Sequence, residues 1–140
     1  MIYLGIDFGD KRMGTAVCEG EGLFAVSIGT VPVRGARDAA EKAVSLAVER
    51  GAETIVVGMP HRADGYRGER CEKTEVFLSF LKELTAIPVE TFDERFTTVR
   101  AHELLYEAGK NTKQHKSYVD ALSAQLILQS YLDAKKSEKK

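Results

Sequence analysis

Residues 54–58, Thr-Ile-Val-Val-Gly, form a β-branched run with no polar alternation, set between two stretches of helical period. A strand of this kind suits burial on both faces, which calls for a sheet with helices on either side. Upstream, Ala40, Ala43, Val44, Ala47 and Val48 recur at i, i+3, i+4, i+7 and i+8, and Gly51 stands at the stop position. That spacing predicts a helix over 36–50 with a narrow face of small residues, able to pack closely on a sheet. Downstream, Phe77, Phe80, Leu81 and Leu84 predict a second helix over about 70–84.

The rest of the chain fits around this unit. Residues 2–7, 12–18 and roughly 23–31 read as strands joined by the turn signals Gly9-Asp10-Lys11 and Glu19-Gly20-Glu21-Gly22. Short turns between successive strands predict an antiparallel meander. Pro88–Phe92 is a further short strand, with proline at its tolerated first position. Ala101, Leu104, Leu105 and Ala108 mark a helix over 98–108, ended by Gly109; the segment 110–116 is polar and basic, and a last helix runs over about 117–134. The order βββ-α-β-α-β-α-α gives an α/β fold: one mixed five-stranded sheet, three antiparallel strands then two parallel crossovers, flanked by helices. The expected organisation is a single domain over 1–134 and a charged, frayed C-terminal tail over 135–140.

Composition narrows the function classes. A chain of 140 residues holds one core of ordinary size. Its 20 basic and 21 acidic side chains nearly cancel, so a nucleic-acid partner has to be found in local patches. No apolar run approaches the ~20 residues that span a bilayer, and the N-terminus lacks the features of a signal peptide. Cys18 and Cys71 have no CxxC or metal spacing and read as reduced thiols. The expectation is a cytoplasmic protein with no membrane partner.

In open α/β sheets ligands collect at the carboxyl ends of the strands, where Asp7, Gly58 and Asp93 are expected. Asp7 can simply cap the turn that leaves its strand, and Asp93 and Glu94 suit the approach to a helix N-terminus. Asp120 is more informative. It shares a helical stripe with Ala124, Ile127, Leu128 and Tyr131. Ser117-Tyr-Val-Asp120 resembles a capping box, although that motif prefers Glu or Gln at the last place. An inward carboxylate needs a compensating cation, since an isolated buried charge costs several kcal/mol. Asp7, Asp93 or Glu94, and Asp120 together make a set of hard oxygen ligands, the chemistry of Mg²⁺ or Mn²⁺ shared with phosphate.

Four motifs carry a family likeness: Asp7-Phe-Gly-Asp-Lys-Arg12-Met-Gly; Gly58-Met-Pro60 with Asp64-Gly65; Asp93-Glu-Arg-Phe-Thr-Thr98; and Tyr118-Val-Asp120-Ala-Leu-Ser-Ala-Gln-Leu-Ile-Leu-Gln-Ser-Tyr131-Leu. In this order, over about 7–132, the chain resembles the YqgF family, also described as Holliday junction resolvases, within the RNase H-like superfamily. The resemblance implies an RNase H-like fold and a metal-dependent nuclease, a hydrolase of phosphodiester bonds acting in maturation of the 5′ end of pre-16S ribosomal RNA. It implies Asp7, Asp93 and Asp120 as metal-binding catalytic acids, with Glu94 an alternative middle ligand. Arg12, Arg95 and Thr98 match polar positions that would orient phosphate or the acids. Two positions depart from the family pattern: His61 stands where Leu is usual, and Ser123-Ala124 where a pair of alanines is usual. Neither removes an acid, and His61 is read as a loop residue that could shuttle protons.

Lys110, Lys113 and Lys116, just before the helix bearing Asp120, offer contacts to a phosphate backbone. The segment 61–75 balances Arg62, Arg67, Arg70 and Lys73 against Asp64, Glu69, Glu72 and Glu75, and reads as a mobile rim rather than a docking patch. RNA is the expected partner, within ribosomal precursor particles, with structured DNA the alternative. Junction resolution wants a symmetric dimer, and the sequence leaves monomer and homodimer open. A non-catalytic nucleic-acid-binding module would be marked by a lost acid, and none is missing. A two-domain sugar-kinase-like phosphotransferase needs more chain than this.

Overall fold

The computed structural model describes residues 1–19, 24–60, 68–94 and 115–138, with 115–121 and 137–138 described as backbone only. The elements are β1 (Tyr3–Phe8), β2 (Arg12–Cys18), β3 (Val26–Pro32), α1 (Ala36–Arg50), β4 (Thr54–Met59), α2 (Gly68–Leu84), β5 (Val89–Asp93) and α3 (His115–Glu138). They build one five-stranded sheet in the order β3-β2-β1-β4-β5. β1 pairs antiparallel with β2, and β2 with β3. β1 pairs parallel with β4, and β4 with β5. β1, β3, β4 and β5 therefore point their carboxyl ends the same way, against β2.

Alternation along the strands sorts the core into two layers. Leu4, Ile6, Phe8, Ile55, Val57 and Met59 pack beneath α1 and α2. Ala16, Cys18 and Val56 face the other way, beneath Ala124, Ile127, Leu128, Tyr131 and Leu132 of α3. All six residues of β4 are buried, as an unalternated apolar strand between two helical layers must be. The small-residue face of α1 is real but rotated: Ala39, Ala40, Ala43 and Ala47 are fully buried, while Val48 is exposed. Four alanines let α1 sit close to the sheet, and Gly51, in the left-handed conformation, ends the helix by donating its N–H to Val48. On α2 the Phe77 ring stacks on Phe8, with centroids 4.7 Å apart.

Two expected loops are shorter than the sequence suggests. Residues 68–75 belong to α2, so Arg70 and Lys73 stand on a helix and not on a mobile rim. Lys116 lies in the first turn of α3, which starts at His115. The same helix continues to Glu138, into the segment expected to fray. Lys135 lies 5.5 Å over the Tyr131 ring and 4.0 Å from Glu90, and lysines suit the negative end of a helix. The helix predicted over 98–108 lies outside the described residues. Among the described residues no helix is long and apolar enough to cross a membrane, and both cysteines are buried free thiols.

Candidate active site at the strand ends

The carboxyl ends of β1, β4 and β5 bring the predicted acids to one edge of the sheet. Asp7 is half-buried and lies directly opposite Gly14 on β2. On its other side the register Ile6↔Val57, continued by one residue, sets Gly58 of β4 beside it. Asp7 therefore has a glycine on each neighbouring strand, and alternation with Gly5 turns it toward the α3 layer. The adjoining positions on the two neighbouring strands therefore carry no side chain.

The α3 layer comes unusually close here. A Cβ added at Gly5 would lie 2.8 Å from Leu128 Cβ and 3.3 Å from the Ala124 carbonyl oxygen. One added at Gly58 would lie 2.6 Å from Ile127 Cδ1 and 3.3 Å from Glu94 Cγ. At Gly5 only glycine permits this approach of helix to strand.

Those contacts fix the run of α3 across the sheet. Tyr131 meets Tyr3 edge to face at 6.0 Å, and Leu128 and Ala124 meet Gly5. Two residues further along β1, about 6.6 Å, correspond to about four residues back along α3. That step leads from Gly5 to Asp7 on the strand, and from Ala124 to the Asp120 position on the helix. The backbone of α3 thus carries Asp120 to the level of Asp7.

The middle acids part company. Thr91 shares a cleft with Met59 and Leu78, on the α2 side, and Asp93, two residues on, follows it to that face. Phe92 packs with the α3 layer. Glu94 lies on that side as well, its Cγ beside Gly58 and Ile127 and its Oε2 shielded from solvent. Glu94 lies beside Gly58 on the Asp7 face, and strand alternation sets Asp93 toward the other. The side chain of Asp120 lies outside the described residues, as do His61, Arg95, Thr98, Lys110 and Lys113 and the side chain of Lys116. Among the described residues no three His, Cys, Asp or Glu side chains are grouped to hold a metal.

A model of the RuvX family, described as a Holliday junction resolvase family, matches residues 1–134. The chain belongs to the RuvX (YqgF) family. A relative from Syntrophus aciditrophicus, named "Putative pre-16S rRNA nuclease", is 42% identical over 99% of this chain and 93% of its own length. One of the same name from Acetivibrio thermocellus is 40% identical over 96% of this chain and 97% of its own. Among solved structures, T. thermophilus RuvC in complex with Holliday junction substrate matches with a TM-score of 0.65 at 17% identity, over 96% of both chains. The Fowlpox virus resolvase bound to junction DNA matches at 0.58 and 11% identity, over 96% of this chain and 99% of its own. These neighbours and the mixed five-stranded sheet fit the RNase H-like fold. Membership of the family makes the chain a nuclease, a hydrolase acting on ester bonds.

One site residue was beyond sequence reasoning. Arg12 had a motif, but Arg70, which donates to the carbonyl oxygen of Phe8 at 3.3 Å, had none. The sequence placed it only within the charge-balanced segment 61–75.

Proposed function

We propose that this chain is a divalent-metal-dependent nuclease whose centre is formed by Asp7, Glu94 and Asp120, and that its substrate is the 5′ end of pre-16S ribosomal RNA. The observation that carries the metal centre is the pairing of Asp7, on a floor of Gly14 and Gly58, with Glu94 on the same face. The donor set fits. Carboxylates without histidine or cysteine are ligands for Mg²⁺ or Mn²⁺, and the glycine floor leaves room for hydrated ions and a phosphodiester. When bound there, the ion supplies positive charge to the phosphodiester oxygens and eases ionisation of an attacking water.

The protein's own groups do the rest. Asp7 is held by strand pairing on both sides, so its carboxylate is positioned before substrate arrives. Glu94 lies with its Cγ beside Gly58. Glu94 Oε2 is shielded from solvent, which keeps bulk water from competing for that oxygen. The choice of RNA as substrate rests on the names of the curated relatives, in ribosomal precursor particles. The reading that the substrate is a four-way DNA junction is favoured by the family description and by the RuvC likeness.

The test uses the purified full chain with Mn²⁺ or Mg²⁺, against an RNA carrying the extended 16S 5′ end and against a four-way DNA junction. Cleavage of the RNA is expected, lost by at least a hundredfold in Asp7→Asn while the thermal midpoint holds. Calorimetry should show Mn²⁺ binding by the parent and its loss in the variant. Undiminished cleavage by Asp7→Asn removes this centre; cleavage of the junction alone replaces the RNA substrate.

A further inference from the structure

A second feature sits around the end of β1, on the side away from Asp7. Phe8, Asp10, Lys11, Arg12, Arg70 and Lys73 line a cleft of about 350 Å³. Four of these are cations and one is an acid. The cleft joins residues some sixty positions apart, the β1–β2 turn and the first turns of α2. Arg70 anchors α2 to this end of the sheet through its bond to the Phe8 carbonyl oxygen. Lys73 is held 3.3 Å from Asp10 and 3.2 Å from Glu69, and these two acids, Glu69 first, raise its pKa and keep it charged. Both pairs are solvent-exposed, and pairs of that kind are weak enough to yield to a stronger anion.

We propose that this cleft binds a non-scissile backbone phosphate of the nucleic-acid substrate, so that the strand is gripped on both sides of the end of β1. The inference rests on the nuclease reading, and it adds a docking point that the acid centre lacks. The volume suits one phosphate with several waters, each taking about 30 Å³. The reach is right as well: the three residues from Asp7 to Asp10 span at most about 11 Å. One strand of a duplex carries a phosphate about every 3.4 Å along the axis, so the cleft lies at most about three phosphates from the bond at Asp7. Four cations around one anion give a contact to the backbone that is blind to sequence.

The experiment measures binding of a fluorescent single-stranded RNA by anisotropy over a series of salt concentrations. It uses the full chain in EDTA with Asp7→Asn throughout, so that no cleavage intervenes. Adding Lys11→Gln, Arg70→Gln and Lys73→Gln together should weaken binding about tenfold or more and lower the salt slope by about one. Lys11→Glu alone, at an exposed turn, should weaken it several-fold, and serves should the triple variant fail to fold. Lys136→Gln, at the far end of α3, should change nothing. Unchanged affinity and slope in the cleft variants would overturn the proposal, as would an equal loss in Lys136→Gln. Displacement by inorganic phosphate with no effect of the substitutions on RNA binding would overturn it too, marking a free-anion site. Cleavage by the otherwise unsubstituted parent is scored separately: cleavage with unaltered binding in the cleft variants retires the cleft alone, and no cleavage with altered binding retires the nuclease reading alone.

Discussion

Gly5 of β1 and Leu128 of α3 meet with no room for a methyl group between them: a Cβ on Gly5 would come within 2.8 Å of the Leu128 Cβ. The obstructing atom is fixed to the helix backbone and cannot rotate away. Gly5→Ala therefore pushes α3 off the sheet, and with it the Asp120 position. Overpacking of this kind costs about 1–3 kcal/mol, or about 3–10 °C in a chain of this length. At Gly58 the nearest atom is Ile127 Cδ1, the end of a flexible side chain. Gly58→Ala should lower the thermal midpoint by less than half as much. Scanning calorimetry of the two variants checks the order, and equal losses would show that α3 is not set by its contact at Gly5.

The helix is also tied down at its other end. The Tyr131 hydroxyl donates to Glu90 Oε2 on β5, its ring meets Tyr3, and Lys135 lies over it. Tyr131→Phe keeps the ring contacts and removes one charge-assisted bond at a part-exposed site, a loss of about 1 kcal/mol. Tyr131→Ala also removes the ring from the layer beneath α3 and should cost about 3–5 kcal/mol. Urea unfolding at neutral pH distinguishes the two. A Tyr131→Phe midpoint equal to the parent's would mean that Glu90 is as well solvated alone.

Alkaline pH should reach the same layer through Cys18. Burial raises the Cys18 thiol above its ordinary 9.0, against a smaller lowering by the backbone N–H of Phe24. The unfolded chain then releases this proton before the folded one does. The thiol's contribution is full below pH 9 and is lost as pH rises through the folded value. The parent's unfolding free energy should fall more steeply above pH 9 than that of Cys18→Ala. Parallel curves would show that Cys18 ionises as easily folded as unfolded.

What could be read in the chain, and what could not, follows from how far each feature reaches. The period change between Thr54–Gly58 and its flanking helices is local, and it gave the two-sided sheet. The run of alanines in α1 gave a helix whose observed limits are Ala36–Arg50. Which alanines face inward depends on the sheet beneath, and there Ala39 replaced Val48. The basic cleft was invisible for the same reason. Along the chain Arg70 and Lys73 are balanced by nearby acids; only folding carries them across to Lys11 and Arg12. Glycines such as Gly14 and Gly58 carry no chemistry of their own, and their meaning appears once strand pairing sets them on either side of Asp7.

The choice between Asp93 and Glu94 turns on the same kind of non-local fact. Adjacent residues at a strand end point to opposite faces, and a shift of one residue exchanges them. Here the pairing Gly58↔Phe92 and Met59↔Asp93 sets the phase, and Glu94 Cγ beside Gly58 and Ile127 confirms the side on which Glu94 lies. Glu94→Gln should therefore lower metal-dependent cleavage by at least a hundredfold, with Mn²⁺ affinity falling alongside it. Asp93→Asn should keep cleavage within about fivefold of the parent and leave Mn²⁺ affinity unchanged. Both substitutions keep side-chain volume, so thermal midpoints within a few degrees of the parent show that the fold is intact. The reverse pattern, activity lost with Asp93→Asn and kept with Glu94→Gln, would place the middle ligand on Asp93 and require the end of β5 to turn over when metal binds.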